Sequence, residues 1–297
     1  MFKRGISDGF VQALKKWKHW DEIIKDHDLF VAIRNKYINI YFQGCSLFKA
    51  SYNEGLVVKT HYKYLVRPNL QNPYVSWVGD SPALEDLANK ILVDRFDLGS
   101  LKTSSRWYGE PEKAGLHRIL KRNTNVVDVE VALSPESEVE TDSDDRITKG
   151  KRVADRIDFA AVQKKEGRAC IVFFEAKRFD NGELRSQRGE PRVFGQIRNY
   201  GEFINNNAPG IKTSYGRVCK NLVDLAPDRT HPLVREVVRN PEQLTVDPNV
   251  RLVVFGFDQD QRDGTVWNKH KTKLEGLFGT RLLLKGSPSE FTSGISN

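Results

Sequence analysis

Three residues near the middle of the chain have the types and spacing to do chemistry together. Asp158 lies inside the apolar run RIDFAAVQ at 156–163. Glu175 and Lys177 flank Ala176 at the end of ACIVFFEAK, 169–177. Both runs read as strands, and KKEG at 164–167 is short enough for a hairpin turn. Side chains at i and i+2 of a strand point to one face, so Glu175 and Lys177 project together. Antiparallel pairing then brings Asp158 beside Glu175. Two neighbouring carboxylates repel unless a cation lies between them. Hard oxygen ligands with room for water suit Mg²⁺ or Mn²⁺, and the Ala176 carbonyl offers one more oxygen. A metal held there lowers the pKa of bound water and offsets charge building on a phosphate. Lys177 is positioned to orient that water or to stabilise the developing charge. A lysine at a strand end, pointing into a cleft, is expected to bury little of itself.

Further residues join this group by pattern. Glu130, in DVEVAL on the preceding strand, is expected to complete the acidic site or to bind a second metal. Gln196 and Tyr200 are four apart in a segment that reads as a helix over 193–206, so they share a face and can contact phosphate or base. Arg178 and Arg198 are candidate phosphate contacts. Two acids compete with these choices. Asp155 precedes Asp158 by three residues and so faces the other side of a straight strand, whereas Asp158, Ala160 and Val162 share one face. Asp128 shares parity with Glu130, which leaves that choice more open. His117, His231 and His270 are isolated and read as structural.

The elements that must position these residues are mixed. Residues 6–26 read as a helix with an apolar stripe packed on the core, although Lys15, Lys16, Lys18, Trp17 and Trp20 also suit a phosphate backbone or membrane surface. YINIYFQGCSLFKASY alternates with period two and turns near Gln43-Gly44, and 55–66 continues as a third strand. Residues 82–96 and 111–122 read as helices. VVDVEVALS at 126–134 is a strand, and the polar stretch 134–150, with six acids between Glu136 and Asp145, reads as a solvated loop. Basic helices are expected at 193–206 and 211–224, and strands at 251–257 and 280–286. This order predicts an α/β fold: a mixed central sheet flanked by helices, with an N-terminal α+β extension. The division expected is an N-terminal region, 1–100, of unassigned role, and a catalytic domain, 101–297.

The chain has 297 residues, 39% of them hydrophobic, which suffices for a sizeable core. Lys and Arg outnumber Asp and Glu by 47 to 39, for a formal charge of +8, and a basic surface attracts polyanions. Cys45, Cys170 and Cys219 are far apart and form no pair motif, which argues against a disulfide framework and for an intracellular protein. Neither a signal-peptide core nor a membrane-length apolar run is seen, so a cytoplasmic location with no membrane partner is expected.

RIDFAAV, a short turn and IVFFEAK together resemble the core of the PD-(D/E)xK nuclease superfamily, and GQIRNY resembles the Q-x-x-x-Y helix of its exonuclease-type members. The resemblance covers about residues 125–207. It implies a restriction-endonuclease-like fold in which Asp158, Glu175 and Lys177 form the motif, with Glu130 as the additional upstream acid. It also implies a Mg²⁺- or Mn²⁺-dependent nuclease acting on nucleic acid, DNA ahead of RNA, with room for a homo-oligomer or a partner protein. Ile157 stands where the family motif has proline. Two other readings compete: a non-catalytic nucleic-acid-binding or assembly module that kept the fold, and a defence effector nuclease held inactive until a partner binds.

Overall fold

The computed structural model describes residues 2–68, 72–133 and 156–292. The acidic stretch after residue 133 and the competing Asp155 therefore lie outside the described residues.

The N-terminal part begins with two helices, α1 (Asp8–Lys16) and α2 (Trp20–Lys25), where the periodicity suggests one. The break falls at Trp17-Lys18-His19, where Trp17 and His19 both pack on Phe96. The stripe Phe10, Leu14, Trp20 and Ile23 is buried, so these helices pack on the core. Four antiparallel strands follow in sequential order: β1 (Phe30–Ile33), β2 (Tyr37–Phe42), β3 (Cys45–Tyr52) and β4 (Leu56–Lys59). The turn between β2 and β3 sits at Gln43-Gly44, both with positive φ, which suits a tight hairpin. The strand expected over 55–66 ends at Lys59 and gives way to a short 3-10 turn. Next come the two-residue strands β5 (Trp77–Val78) and β6 (Ser81–Pro82), then α3 (Leu84–Ala88), far shorter than the helix expected at 82–96. The segment closes with α4 (Leu98–Ser105) and α5 (Pro111–Arg122), the second of which matches its expected span.

The central sheet comprises β7 (Val126–Ala132), β8 (Arg156–Lys165), β9 (Arg168–Arg178), β10 (Thr245–Val246), β11 (Arg251–Phe255) and β12 (Leu282–Lys285). Its order is β12-β11-β9-β8-β7, with β10 and β11 pairing successive stretches of β9. The β7–β8–β9 half is antiparallel and the β9–β11–β12 half parallel, so the sheet is mixed and the fold is α/β.

Both faces of the sheet are covered. Ala160, Val162, Ile171, Phe173, Leu252 and Val254 belong to one core cluster with the apolar stripe of α6 (Arg192–Leu225), which includes Val193, Ile197, Tyr200 and Ile204. On the other face Phe159, Val172, Phe174, Val253 and Phe255 meet Leu116, Ile119 and Leu120 of α5. This explains why β9 is apolar on both parities: a strand buried on both sides has no solvent face to mark. The remaining helices are α7 (Pro232–Arg239), α8 (Gln259–Asp263) and α9 (Thr265–Phe278).

One expectation fails in an instructive way. Helices at 193–206 and 211–224 are a single helix of 34 residues with Pro209 inside it. Proline removes one backbone donor and usually breaks a helix. Here Pro209 faces solvent, while Ile204, Ile211, Tyr215 and Val218 continue the buried stripe through it. Packing of that stripe outweighs the local penalty. All three cysteines are buried and unbridged. Among the described residues no helix is long and apolar enough to cross a membrane.

Candidate active site

The β8–β9 hairpin sets the geometry. Lys165 pairs with Arg168 across the two-residue turn Glu166-Gly167, whose φ angles, 50° and 79°, suit the primed turns that match strand twist. From that turn the register runs without a slip to Phe159 opposite Phe174, which brings the next pair, Asp158 and Glu175, face to face. A one-residue slip would send one of them to the other side of the sheet. The β7–β8 pairing adds a third acid: Val129 opposite Phe159 and Val131 opposite Ile157 bracket Glu130 opposite Asp158. Three acids thus stand in a row across three strands, on the sheet level from which Lys177 also projects.

The contacts are specific. Asp158 Oδ2 accepts the Ala176 N–H at 2.7 Å, which ties the acid to the next strand. Lys177 Nζ lies 2.8 Å from Glu175 Oε1 and 3.0 Å from Glu183 Oε2. Glu175 is buried and its other oxygen, Oε2, has no hydrogen-bond partner among the described residues. An unpaired buried carboxylate oxygen is costly, and this one lies beside a second acid. Asp158 is half-buried, so the group opens to solvent on its side.

The electrostatics follow. Burial, with smaller repulsions from Glu183 and Glu112, raises the Glu175 carboxyl to about 7, against the pull of Lys177. Asp158 is held well above the usual carboxylate range by burial, then by Glu175 and Glu130, against Lys177 and the Ala176 N–H. Burial works against the Lys177 ammonium, but Glu175 and Asp158, with hydrogen bonds to Glu175 and Glu183, override it and hold the proton on more firmly than usual. Lys177 is therefore a fixed cation and not a general base. It is also buried, contrary to the expectation that it buries little, because two carboxylates clasp it from above the strand end.

The competition between Asp128 and Glu130 is decided by partners. Asp128 is fully buried and accepts from Arg4 Nε at 3.3 Å, from Tyr215 Oη at 3.1 Å, from the Val129 N–H at 2.9 Å and from Arg34 Nη1. Its oxygens are consumed by the structure. Among the described residues Glu130 pairs with Arg156 Nη1, at 3.9 Å, and it is held at φ 48°, a left-handed conformation rare for a glutamate. Strained backbone of this kind concentrates at functional positions.

The other expected residues divide. Gln196 and Tyr200 do share a face of α6: Gln196 Nε2 donates to Tyr200 Oη at 2.6 Å, and Tyr200 Oη donates to the Arg156 carbonyl, at the start of β8, at 2.9 Å. Tyr200 is thus anchored to the strand that carries Asp158, while Gln196 Oε1 is buried with no partner among the described residues. Arg198 is on a different flank of α6 and lines a separate hollow with Phe194, Glu202 and Arg281. Arg178 alternates to the opposite parity from Lys177 and pairs with Asp180 at 2.9 Å.

Two acids escaped the sequence reading. Glu183 sits in a short 3-10 turn capped by Asn181, and its position against Lys177 depends on a loop with no periodic signal. Glu112, at the start of α5, accepts from the Arg178 N–H at 2.8 Å and from Asn181 Nδ2 at 3.0 Å, so it holds that loop to the strand end. Among the described residues no three His, Cys, Asp or Glu side chains converge as a preformed metal cage. Two carboxylates and a carbonyl nevertheless suffice for Mg²⁺, which keeps several waters when bound to protein. The chain matches no protein-family model, no curated protein and no solved structure.

Proposed function

We propose that this protein is a metal-dependent nuclease of the PD-(D/E)xK type, with a restriction-endonuclease-like core. The observation that carries the reading is the Asp158–Glu175 pair, side by side across the hairpin, with Glu175 buried, Lys177 clasped and Glu175 Oε2 orphaned among the described residues. An unsatisfied buried carboxylate oxygen is costly, and a bound cation would offset that cost. A Mg²⁺ or Mn²⁺ ion fits the oxygen donors present: Asp158, Glu175 and the Ala176 carbonyl would hold it, with Glu130 available to complete the set. When bound, the ion supplies an activated water and offsets charge on a phosphodiester.

The chain's own residues do the rest. Lys177, kept protonated by its neighbours, stabilises charge developing on the phosphate. Glu183 holds the Lys177 ammonium in place beside Glu175. Tyr200 fixes α6 against the start of β8, and Gln196 is tied to Tyr200 through its amide nitrogen. The basic balance of the chain favours a polyanionic substrate, and the resemblance puts DNA ahead of RNA. The hairpin register gives this reading its physical support, because it makes the Asp158–Glu175 pairing a consequence of the Glu166-Gly167 turn.

The test is cleavage of circular DNA, linear DNA and RNA with Mg²⁺, with Mn²⁺ and with EDTA. Cleavage should require the metal and fall by orders of magnitude in Asp158→Ala. If the wild type binds nucleic acid and never cuts under any of these conditions, the binding-module reading replaces this one. Cutting that proceeds in metal-free protein refutes the metal assignment.

A further inference from the structure

The stretch 72–92 contributes nothing to the core: none of its residues is buried. Yet it is rich in apolar side chains. Tyr74, Trp77, Val78 and Leu84 are each between 69% and 80% exposed, and Ile91 and Leu92 are exposed with them. More than half of the large apolar side chains exposed among the described residues fall in this one stretch. It nevertheless has a defined shape. β5 and β6 pair as a hairpin, the Ala83 N–H donates to the Ser76 carbonyl at 2.8 Å, and the Ser76 N–H donates to Asp86 Oδ2 at 2.9 Å, which ties α3 to the hairpin. Its base is fixed to the body: the Arg67 N–H donates to the Lys90 carbonyl and the Leu92 N–H to the Leu65 carbonyl, both at 2.8 Å. The stretch is therefore an arm on a fixed base. A two-stranded hairpin is marginal in water, and its apolar side chains stabilise nothing until something covers them.

Charge says what kind of surface would cover it. The arm carries Asp80, Glu85 and Asp86 against Lys90 alone, on a chain whose formal charge is +8. A complementary surface, basic and aromatic, lies near the base of the arm. Two 3-10 turns, Tyr62–Tyr64 and Arg106–Tyr108, pack together there, with the Tyr64 and Tyr108 rings 5.8 Å apart and Lys63 Nζ 4.7 Å from the centre of the Tyr108 ring. Tyr62 and Trp107 stand on these turns, 72% and 62% exposed. Lys59, Arg67 and Arg106 are exposed in the same two stretches, and 57–67 and 106–108 contain no acid. The arm of the same chain leaves this shoulder uncovered.

We propose that two copies of this chain dimerise by exchanging arms, the acidic apolar arm of each lying on the basic aromatic shoulder of the other. A two-fold arrangement satisfies both copies at once and closes the assembly. The area is sufficient. An aromatic side chain offers roughly 150–250 Å², so Tyr74 and Trp77 with their aliphatic neighbours present about 400 Å² per arm. Two arms, each covering as much of the other copy, remove roughly 1,600 Å² from water, the size of a standard specific interface. A dimer in which the two arms meet each other is disfavoured, because their acids would face one another. The inference does not depend on the nuclease reading, since none of the acids of that site belongs to the arm or the shoulder.

Sedimentation velocity of the full chain, free of nucleic acid and in EDTA, over about 1 to about 100 μM tests this. The mass should rise from 34.0 kDa to twice that value. Trp77→Ser combined with Leu84→Ser should weaken the dimer at least roughly tenfold. The melting temperature at low concentration should stay unchanged, since neither side chain is buried within one chain. Asp80→Lys with Glu85→Lys reverses the arm, and Lys59→Glu with Arg106→Glu reverses the shoulder. Each of these proteins should be monomeric alone, because both contacts of its dimer would join like charges. Mixed in equal amounts they should dimerise, because both contacts of the mixed pair regain opposite charges. A wild type that stays at 34.0 kDa throughout, a dimer indifferent to Trp77 and Leu84, or a mixture that fails to pair overturns the proposal. If the serine variant fails to fold, the charge-reversed pair still decides.

Discussion

Replacing Glu175 with glutamine should make the protein's stability respond differently to pH, in a direction fixed by the site. The carboxyl is raised from its ordinary 4.5 to about 7 in the folded chain. For an acid raised by folding, the native state holds the proton more tightly than the unfolded one. Between 4.5 and about 7 the native state therefore binds more protons, and stability falls as pH rises. At about 1.4 kcal/mol per pH unit, the full rise corresponds to roughly 3 kcal/mol lost at alkaline pH. Between about pH 5.5 and about pH 8, roughly 2 kcal/mol of that loss is expressed. Asp158, raised for the same reasons, adds to the loss with the same sign. Glutamine keeps the shape of the protonated acid and cannot ionise. The expected result in EDTA is that Glu175→Gln is only slightly the more stable near pH 5.5 and clearly the more stable near pH 8.

Metal narrows this gap. Because the ligands must be deprotonated, Mg²⁺ should stabilise the wild type more at the higher pH. At about ten times its dissociation constant it contributes about 1.4 kcal/mol. It should do little for the glutamine variant. The assay is a set of chemical or thermal unfolding curves at the two pH values, with EDTA and with Mg²⁺. A difference between wild type and variant that does not change with pH would mean that Glu175 is ionised normally and that the burial argument fails. A pH-dependent difference with no Mg²⁺ effect would keep the electrostatics and remove the metal.

Three further outcomes follow from individual side chains. Lys177→Met strands Glu175 and Glu183; breaking a buried pair costs about 3 kcal/mol. The loss measured in EDTA near neutral pH should shrink as Glu175 takes up a proton at lower pH, and cleavage should fall by orders of magnitude at temperatures where the variant is folded. Glu130→Gly relieves a left-handed glutamate and one repulsion on Asp158, so melting should rise by about 2 °C for about 1 kcal/mol, while cleavage falls. A drop in melting temperature would mean that the Glu130 side chain is a structural contact. Asp128→Asn leaves Arg4 and Arg34 facing a neutral partner in the core, with a loss of roughly 3 kcal/mol or more in urea unfolding; a loss below about 1 kcal/mol would contradict the network as drawn here.

Much of the site was legible because strands announce their parity. The alternation of Asp158, Ala160 and Val162, and the E-x-K at the end of an apolar run, required no knowledge of tertiary contacts. The turn at Glu166-Gly167 then fixed the register. What was not legible depends on loops and on packing across elements. Nothing in the composition of 179–191 places Glu183 against Lys177. Asp128 and Glu130 are indistinguishable by parity, and only Arg4, Arg34 and Tyr215, from distant parts of the chain, separate them. The single α6 was hidden by Asn-rich sequence and Pro209, since propensity is local and the stripe that holds the helix is not. The short strand β1 and the helices α4, α7 and α9 passed unnoticed for the same reason: their faces are completed by partners far away in sequence.

The N-terminal region has a role in this arrangement that its sequence does not advertise. Arg34 follows β1 and bonds both Asp128 and the Val129 carbonyl, at 2.6 Å for the latter. Arg4 adds a bond to Asp128 and another to the Ala132 carbonyl at 3.4 Å. These bonds lie on either side of Glu130. β7 is the edge strand of the central sheet, paired only with β8 among the described residues. An edge strand with a left-handed residue in its middle has little reason to hold its shape alone. The two arginines clamp the backbone before and after that residue, and Tyr215 of α6 closes the same network from the sheet's other partner. The first thirty-odd residues thus stabilise the one strained position in the row of acids. On this reasoning the N-terminal region and the central sheet form one folding unit, with a hydrophobic core that runs from Phe2 and Ile6 through Val131 to Ile204. Cutting the chain near residue 100 would remove the clamp along with the domain, and Glu130 would lose its place opposite Asp158.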